Sequence, residues 1–225
     1  TMHFHRDVLA IADTFSARVL RPAADDVFAG TPPLSFTYGL GGLLVFPLRA
    51  GASVLLLERA APDDLAGHIA ARGVTVCITA PTGYRAMIAS GRAAELRGLR
   101  LCVSAGESLP ADIFTRWRDR FGVEILDGIG STEMLHIFIS NHTGEVRPGS
   151  TGKVVPGYHA LIVDEQGQPV PQGEIGNLLV AGDSACAFYW NKHERSKSTF
   201  LGPWTQTGDK YYQDADGYYW YCGRS

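Results

Sequence analysis

The first half of the chain alternates short apolar runs with segments of helical periodicity, and this alternation constrains the fold most. Residues 52–58 and 74–80 are apolar runs rich in strand-favouring side chains. Between them, residues 62–73 are typical of a helix, with Pro62 at the start and Gly73 at the end. Repeated strand–helix alternation predicts a parallel sheet covered by helices, with the strands buried on both faces.

The same alternation reaches about residue 130. Its pattern predicts helices over 7–20, 81–91 and 110–122, and strands over 99–106 and 123–130. Ligands of such sheets bind beyond the carboxyl ends of the strands. Two of these ends carry polar, glycine-containing segments, "SAGESLP" and "DGIGSTE", which therefore become the candidate site.

Beyond about residue 140, Gly and Pro punctuate short strand-like pieces, and Asp216-Gly217 is typical of a hairpin tip. This pattern of short strand-like segments separated by turns predicts a β-rich subdomain of antiparallel strands. The predicted fold class is therefore α/β, with a parallel sheet and flanking helices over 1–139 and a β-rich subdomain over 140–225.

Composition excludes several classes of function. A net charge of −3 without a basic run argues against a nucleic-acid surface. The longest apolar stretch, residues 39–57, is interrupted by Pro47 and Arg49, so no membrane helix is expected. The four cysteines form no C-x-x-C pair and no His/Cys metal cluster. Reduced thiols and a cytoplasmic location are the expectation.

The two polar segments allow a local and a functional interpretation. In "DGIGSTE" the glycines permit close approach of a flat ligand, Thr132 offers a hydroxyl to phosphate, and Glu133 offers oxygen to Mg²⁺. Alternatively, Ser131 and Thr132 cap a helix. In "SAGESLP", Ala105 and Gly106 leave room for a ligand, or Ser108 caps the next helix. Near the end of the chain, Asp209 and Arg224 suit ribose hydroxyls, or are solvated turn charges.

Five segments in order resemble the core motifs of the adenylate-forming enzymes, a superfamily of acyl- and aryl-CoA synthetases, peptide-synthetase adenylation domains and firefly luciferase. They are "SAGESLP", "DGIGSTEM", "GEIGNLLVAGDSACAFYWN", "TGD" and "YCGRS". The resemblance covers essentially the whole chain. "FTYGLGG" together with "DGIGSTEMLHIF" looks most like the benzoate–CoA ligase branch, which includes 2-aminobenzoate–CoA ligase.

The resemblance implies that a carboxylate attacks ATP to give an acyl-adenylate, which CoA then converts to a thioester. ATP, CoA and Mg²⁺ are the implied co-substrates and cofactor, and an aryl carboxylate is the implied substrate. By motif position, Thr132 contacts the α-phosphate and Glu133 holds Mg²⁺, which makes both catalytic. The implied nucleoside contacts are Gly106, Glu107, Ser108, Asp127, Gly128 and Ile129 for adenine, and Asp209 and Arg224 for ribose.

The resemblance also implies an acyl pocket lined by Phe36, Thr37, Tyr38, Ala105, Gly130, His136 and Ile137. An aromatic ring, small residues and aliphatics together suit a flat apolar acid. His136 either orients the carboxylate or an ortho substituent, or is a core histidine satisfied by backbone. Thr37 is placed to hydrogen-bond an ortho amino or hydroxyl group.

Two parts of the family pattern are absent from these residues: the phosphate loop ending in lysine, and the C-terminal lid domain with its lysine. We therefore expect very weak ligase activity, or none, from this polypeptide by itself. An adenylation domain that loads an aryl acid onto a carrier protein is the main alternative, and a catalytically inactive relative is another. A homodimer is compatible with the sequence.

Overall fold

The computed structural model describes residues 1–58, 61–90, 92 and 96–225. Helices in these ranges are α1 (His5–Ile11), α2 (Thr37–Leu40), α3 (Phe46–Ala50), α4 (Pro62–Arg72), α5 (Pro81–Ala89), α6 (Ala111–Phe121) and α7 (His193–Thr199). Wider π-helical turns extend α1 over Ala12–Leu20 and join α2 to α3 over Gly41–Val45.

The strands form two sheets. Those of the first are β1 (Val27–Gly30), β2 (Ser53–Leu55), β3 (Val76–Thr79), β4 (Leu101–Ser104), β5 (Ile125–Gly130), β6 (Ile137–Ser140) and β7 (Lys153–Val154). Those of the second are β8 (Tyr158–Val163), β9 (Gly176–Gly182), β10 (Phe200–Leu201), β11 (Trp204–Gln213) and β12 (Tyr219–Arg224).

The first sheet has the strand order β2-β1-β3-β4-β5-β6-β7. The five strands β1 to β5 run parallel, which confirms the predicted parallel sheet with flanking helices. Strands β6 and β7 join it antiparallel, because the chain turns back immediately after β5. Strand β2 is shorter than the predicted 52–58 and only partly buried, since it lies at the sheet edge.

The second sheet is antiparallel throughout, which confirms the β-rich character of the later residues. The change from one sheet to the other lies between Val154 and Tyr158. The predicted boundary between two subdomains, at residues 139 and 140, stays a prediction. Two backbone hydrogen bonds connect the two sheets: the N–H of Tyr219 donates to the Gly152 carbonyl, and the N–H of Thr151 donates to the Tyr219 carbonyl.

The helices follow the sequence pattern closely. The predicted helix over 7–20 begins slightly earlier, at His5, and α4 and α6 match the predicted segments. Helix α5 ends at Ala89, and residue 91, the end of its predicted range, lies outside the described residues.

Two apolar clusters sandwich the first sheet. Helices α4, α5 and α6 cover one face with side chains such as Tyr84 and Trp117. The N-terminal helix, the helical segment 37–50 and the second sheet cover the other face, with Phe15 and Phe138 in its core. Both faces are therefore closed, and the carboxyl ends of the parallel strands remain the open edge.

Candidate active site

Two adjoining cavities lie at that edge, between the first sheet and the second. The larger has a volume of about 400 Å³ and the smaller about 220 Å³. Gly106, Gly130, Asp209 and Arg224 line both, so the cavities form one continuous cleft. The structure thereby brings together residues from both halves of the chain.

Every residue singled out from the sequence lines this cleft. Those on the larger cavity are Phe36, Thr37, Tyr38, Ala105, Gly106, Gly130, Thr132, Glu133, His136, Ile137, Asp209 and Arg224. Those on the smaller are Gly106, Glu107, Ser108, Asp127, Gly128, Ile129, Gly130, Asp209 and Arg224. Their individual roles stay predictions.

The segment after β5 is a tight turn. Ser131 Oγ accepts from the N–H of Met134 at 3.2 Å, and the N–H of Leu135 donates to the Thr132 carbonyl. Leu135 has a left-handed φ of 65°. Ser131 therefore satisfies a free N–H as a cap would, but no helix follows, because the chain turns into β6.

Close backbone approach explains one glycine of this segment. A Cβ on Gly130 would lie 2.6 Å from the His136 carbonyl oxygen, which is shorter than any van der Waals contact. Glycine at this position lets β5 and β6 pair across the turn. The pairing brings His136 and Ile137 next to Thr132 and Glu133 in the larger cavity.

The alternative role of Ser108 as a helix cap is wrong. Helix α6 begins at Ala111 after an N-cap at Pro110, and no side chain caps it. Gly106 has a φ of 90°, a left-handed conformation that glycine adopts without strain. This part of the segment after β4 is therefore exposed backbone at the junction of the two cavities.

Glu133 is held by a residue from the second half of the chain that lines the same cavity. The Tyr189 hydroxyl donates to Glu133 Oε1 at 2.6 Å. In the described residues no three His, Cys, Asp or Glu side chains gather into a preformed metal cage. One carboxylate beside a hydroxyl suits Mg²⁺, which takes one or two protein carboxylates together with substrate phosphates. The donor set therefore fits magnesium.

His136 is a buried, neutral ring. Its side chain packs against Phe15, Tyr38 and Phe46, with ring centroids 5.3, 5.8 and 4.6 Å away respectively. Burial lowers the pKa of His136 to about 3. Nε2 lies 3.3 Å from the Tyr38 carbonyl, which can only accept, so Nε2 is the donor. Nδ1 is then an acceptor, and it is buried with no partner in the described part of the chain.

Tyr38 presents its ring to the cavity. Its hydroxyl lies 2.9 Å from the Val103 carbonyl and 3.2 Å from the Thr79 carbonyl. These bonds anchor the ring on the ends of β3 and β4. The neighbouring Thr37 is half-buried, and its hydroxyl has no hydrogen-bond partner among the described residues.

Asp127 lies at the floor of the smaller cavity. The residue is only 5% exposed, and its Oδ1 has no hydrogen-bond partner in the described residues. Burial raises the pKa of Asp127 to about 8. Hydrogen bonding from Ser104 and from the N–H groups of Leu109 and Gly128 opposes this rise in the pKa and offsets only part of the desolvation.

Asp209 and Arg224 face each other across strands β11 and β12. Arg224 Nη1 donates to Asp209 Oδ1 at 2.8 Å. Burial raises the pKa of Asp209, and the Arg224 guanidinium opposes that shift. The sequence suggested a role for each residue alone, whereas the structure makes them one pair at the boundary of both cavities.

A sequence profile of AMP-binding enzymes matches residues 1–190. The chain belongs to the AMP-binding enzyme family. The benzoate–CoA ligase of Thauera aromatica is 44% identical over 230 residues, which cover 100% of this chain and 44% of that protein. The anthranilate–CoA ligase of Pseudomonas aeruginosa is 36% identical over 225 residues, covering 99% and 43% respectively.

Solved structures of AMP-binding enzymes show the same fold. The crystal structure of the anthranilate CoA ligase AuaEII in complex with anthranoyl-AMP superposes with a TM-score of 0.96 at 46% identity. The superposition covers 99% of this chain and 44% of that one. The chain therefore spans less than half the length of each of these three ligases.

None of its described helices is long and apolar enough to cross a membrane.

Several cleft residues of this AMP-binding enzyme were not assigned a ligand-binding role from the sequence. They are Ser131, Thr151, Tyr189, Arg195, Thr199, Gln206, Thr207, Gly208, Tyr211 and Tyr221. Tyr189 lies within a motif quoted for the resemblance, but its contact with Glu133 spans 56 positions. No local pattern reveals a contact at that separation.

Proposed function

We propose that this chain forms the acid- and nucleotide-binding part of an ATP-dependent aryl-CoA ligase that activates benzoate or a substituted benzoate such as 2-aminobenzoate. The observation that carries the proposal is the continuous cleft. Its larger end has the aromatic and aliphatic lining of a flat acid site, and its smaller end has a buried acceptor for a base. Residues suited to phosphate and ribose lie between the two ends.

The first step joins the two substrates where the cavities meet. A carboxylate oxygen of the acid bonds to the α-phosphorus of ATP, the bond to the bridging oxygen breaks, and pyrophosphate leaves. Thr132 donates its hydroxyl to the α-phosphate. Asp209 and Arg224 hold the ribose, and Asp127 accepts from the adenine amino group.

Two anions meet in this step, so charge must be neutralised. Mg²⁺ bound through Glu133 would supply positive charge to the phosphate oxygens. Arg195 lines the same cavity and rests over the Tyr189 ring at 5.2 Å, which adds a fixed cation there.

The second step transfers the acyl group to CoA. The thiol releases its proton, its sulfur bonds to the acyl carbon, and the carbon–oxygen bond to AMP breaks. Because the chain covers under half of the benzoate–CoA and anthranilate–CoA ligases it resembles, we expect residues beyond it to contribute to both steps.

The ring pocket favours a donor substituent on the acid. His136 lines the larger cavity as a neutral ring, so it supplies no positive charge to pair with a carboxylate. The Thr37 hydroxyl lies at the same cavity. We therefore propose that Thr37 hydrogen-bonds an ortho amino or hydroxyl group.

Replacing Thr37 by Ala tests this specificity. Loss of a neutral hydrogen bond of about 1 kcal/mol should shift relative kcat/KM about fivefold from 2-aminobenzoate towards benzoate. Thr37→Ser is the matched control, since it keeps the hydroxyl. An unchanged ratio in Thr37→Ala would contradict the proposed contact.

The full-length enzyme should release AMP in the presence of ATP, CoA and an aryl acid. A panel of benzoates, 2-aminobenzoate and short aliphatic acids, with pyrophosphate exchange and AMP release as readouts, measures both half-reactions. Exchange without CoA-dependent AMP release would instead support loading of a carrier protein. Absence of exchange with every aryl acid would leave a catalytically inactive relative. A cytoplasmic location and a homodimer stay predictions.

A further inference from the structure

A histidine outside the described cleft contacts its catalytic segment. His3 lies just before helix α1, and its Nε2 is 2.7 Å from the carbonyl oxygen of Thr132. The two residues are 129 positions apart. The His3 side chain is 14% exposed, and its bond to the exposed residue Thr132 lies at the molecular surface.

The chemistry of the partners fixes the direction of the bond. A carbonyl oxygen can only accept, so Nε2 of His3 carries the proton and donates to Thr132. The other ring nitrogen, Nδ1, lies 3.1 Å from Asp7 Oδ2, and it donates to that carboxylate in the form of the ring that carries a proton on both nitrogens. The imidazole therefore bridges a buried carboxylate and the backbone of the catalytic turn.

Asp7 holds the ring from the helix. Its side chain is fully buried, and its Oδ2 also accepts from the N–H of Phe4 at 2.9 Å. That bond closes the first turn of α1 in the manner of a capping box. A carboxylate fixed in this way restrains the histidine ring that it contacts.

The backbone of the next residue is held from the same side of the molecule. The N–H of Cys186 donates to the Glu133 carbonyl at 2.8 Å, and the N–H of Ala187 donates to the Met2 carbonyl. His3 and the Cys186 N–H thus hold two successive carbonyls, those of Thr132 and Glu133. The side chains of these residues carry the phosphate and magnesium roles under the proposed function.

We propose that His3 is a positioning residue, which fixes the Thr132 carbonyl and so orients the Thr132 and Glu133 side chains for adenylation. The proposal rests on the proposed function for its catalytic consequence. The effect of His3 on the conformation of the turn can be measured without any catalytic assay.

Two substitutions separate the contacts of the ring. Gln places its side-chain amide near the position of Nε2, so His3→Gln keeps a donor for Thr132. Asn places its amide near the position of Nδ1, so His3→Asn keeps only the contact with Asp7. His3→Ala removes both. All three are made in the full-length enzyme and checked for unchanged melting temperature.

The rate of amide hydrogen exchange in residues 131–135, followed by mass spectrometry, measures directly how firmly His3 holds the turn. It should be several-fold faster in His3→Ala and His3→Asn, and close to wild type in His3→Gln. Adenylation kcat should fall about 3- to 10-fold in the first two variants, as for loss of one hydrogen bond, with KM for the aryl acid unchanged. In the same two variants, the Mg²⁺ concentration that gives the half-maximal rate should rise.

Equal exchange of 131–135 in His3→Ala and wild type would overturn the proposal. Faster exchange in His3→Ala with unchanged kcat and unchanged magnesium dependence would also overturn it. The same holds if His3→Gln shows the same defect in exchange and kcat as a correctly folded His3→Asn variant. If the wild-type enzyme adenylates no aryl acid, the proposed function fails instead, and the exchange experiment still reports whether His3 holds the turn.

Discussion

The Tyr189 hydroxyl donates a 2.6 Å hydrogen bond to Glu133 Oε1 and so joins the turn after β5 to the segment that follows β9. Tyr189 is itself restrained, because its ring packs against Phe200 at 5.1 Å and beneath the Arg195 guanidinium. The proposed magnesium ligand is therefore oriented by a residue of the second half of the chain.

Tyr189→Phe should lower the adenylation rate about 3- to 10-fold at saturating ATP, because the carboxylate of Glu133 loses its fixed orientation. KM for the aryl acid should stay unchanged. Trp190→Phe is the control, since Trp190 is 71% exposed and lines neither cavity. Equal rates for Tyr189→Phe and wild type in a pyrophosphate-exchange assay would show that the hydrogen bond has no catalytic role.

Gly41→Ala should disturb the proposed acid pocket and leave the proposed nucleotide site unchanged. A Cβ at Gly41 would lie 2.2 Å from Cδ2 of His136 and 3.0 Å from the Phe46 ring, so the buried imidazole must move. We expect KM for the aryl acid to rise at least tenfold while AMP binding, measured by calorimetry, stays within twofold. In the control Gly98→Ala the added Cβ meets nothing closer than 3.6 Å. A parallel loss of AMP affinity in Gly41→Ala would contradict a local effect on the acid pocket.

Asp127 should make the protein less stable as pH rises from about 4 to 8. The folded pKa is about 8 and the usual value is 3.8, so across this window the folded state keeps a proton that the unfolded chain has lost. At pH 7 the cost is on the order of 4 kcal/mol. Asp127→Asn should remove this slope from the free energy of unfolding, measured by urea denaturation at several pH values.

The amide oxygen that Asp127→Asn introduces would still accept from adenine, so AMP affinity should persist in that variant. Glu194→Gln, at an 88% exposed side chain, is the control and should leave the pH slope intact. A slope equal to wild type in Asp127→Asn would show that this carboxyl does not titrate as proposed.

Asp26 should give the protein the opposite pH dependence, so that its contribution to stability is lost as pH falls. Burial raises its pKa, but hydrogen bonds from Arg100, the Ala23 N–H and Thr75 outweigh burial and bring the pKa from 3.8 to about 2. The stabilisation of about 2 kcal/mol is present above pH 4 and is lost as pH falls from about 4 to 2. Asp26→Asn should therefore lower the free energy of unfolding at pH 7, and the difference from wild type should shrink below pH 3. A difference independent of pH would contradict the ion pair as its source.

Much of the fold was predictable, because the signals are local. Apolar runs such as 74–80 and the glycine at residue 73 report the conformation of their own neighbours, and strands β3, β4 and β5 formed where the pattern indicated. The turn at 131–135 was not predictable as a turn, since Ser131 satisfies an N–H equally well at the start of a helix. The pairing of β5 with β6 decided between the two.

The sequence by itself determined the alternation of strands and helices, the order of the motifs and the chemical groups at the carboxyl ends of the strands. Only the tertiary structure decided which groups meet: Arg224 with Asp209, Tyr189 with Glu133, and His3 with the Thr132 carbonyl. The physical reason is range. Periodicity and capping depend on residues a few positions apart, whereas these contacts depend on strand order and on how the second sheet packs against the first.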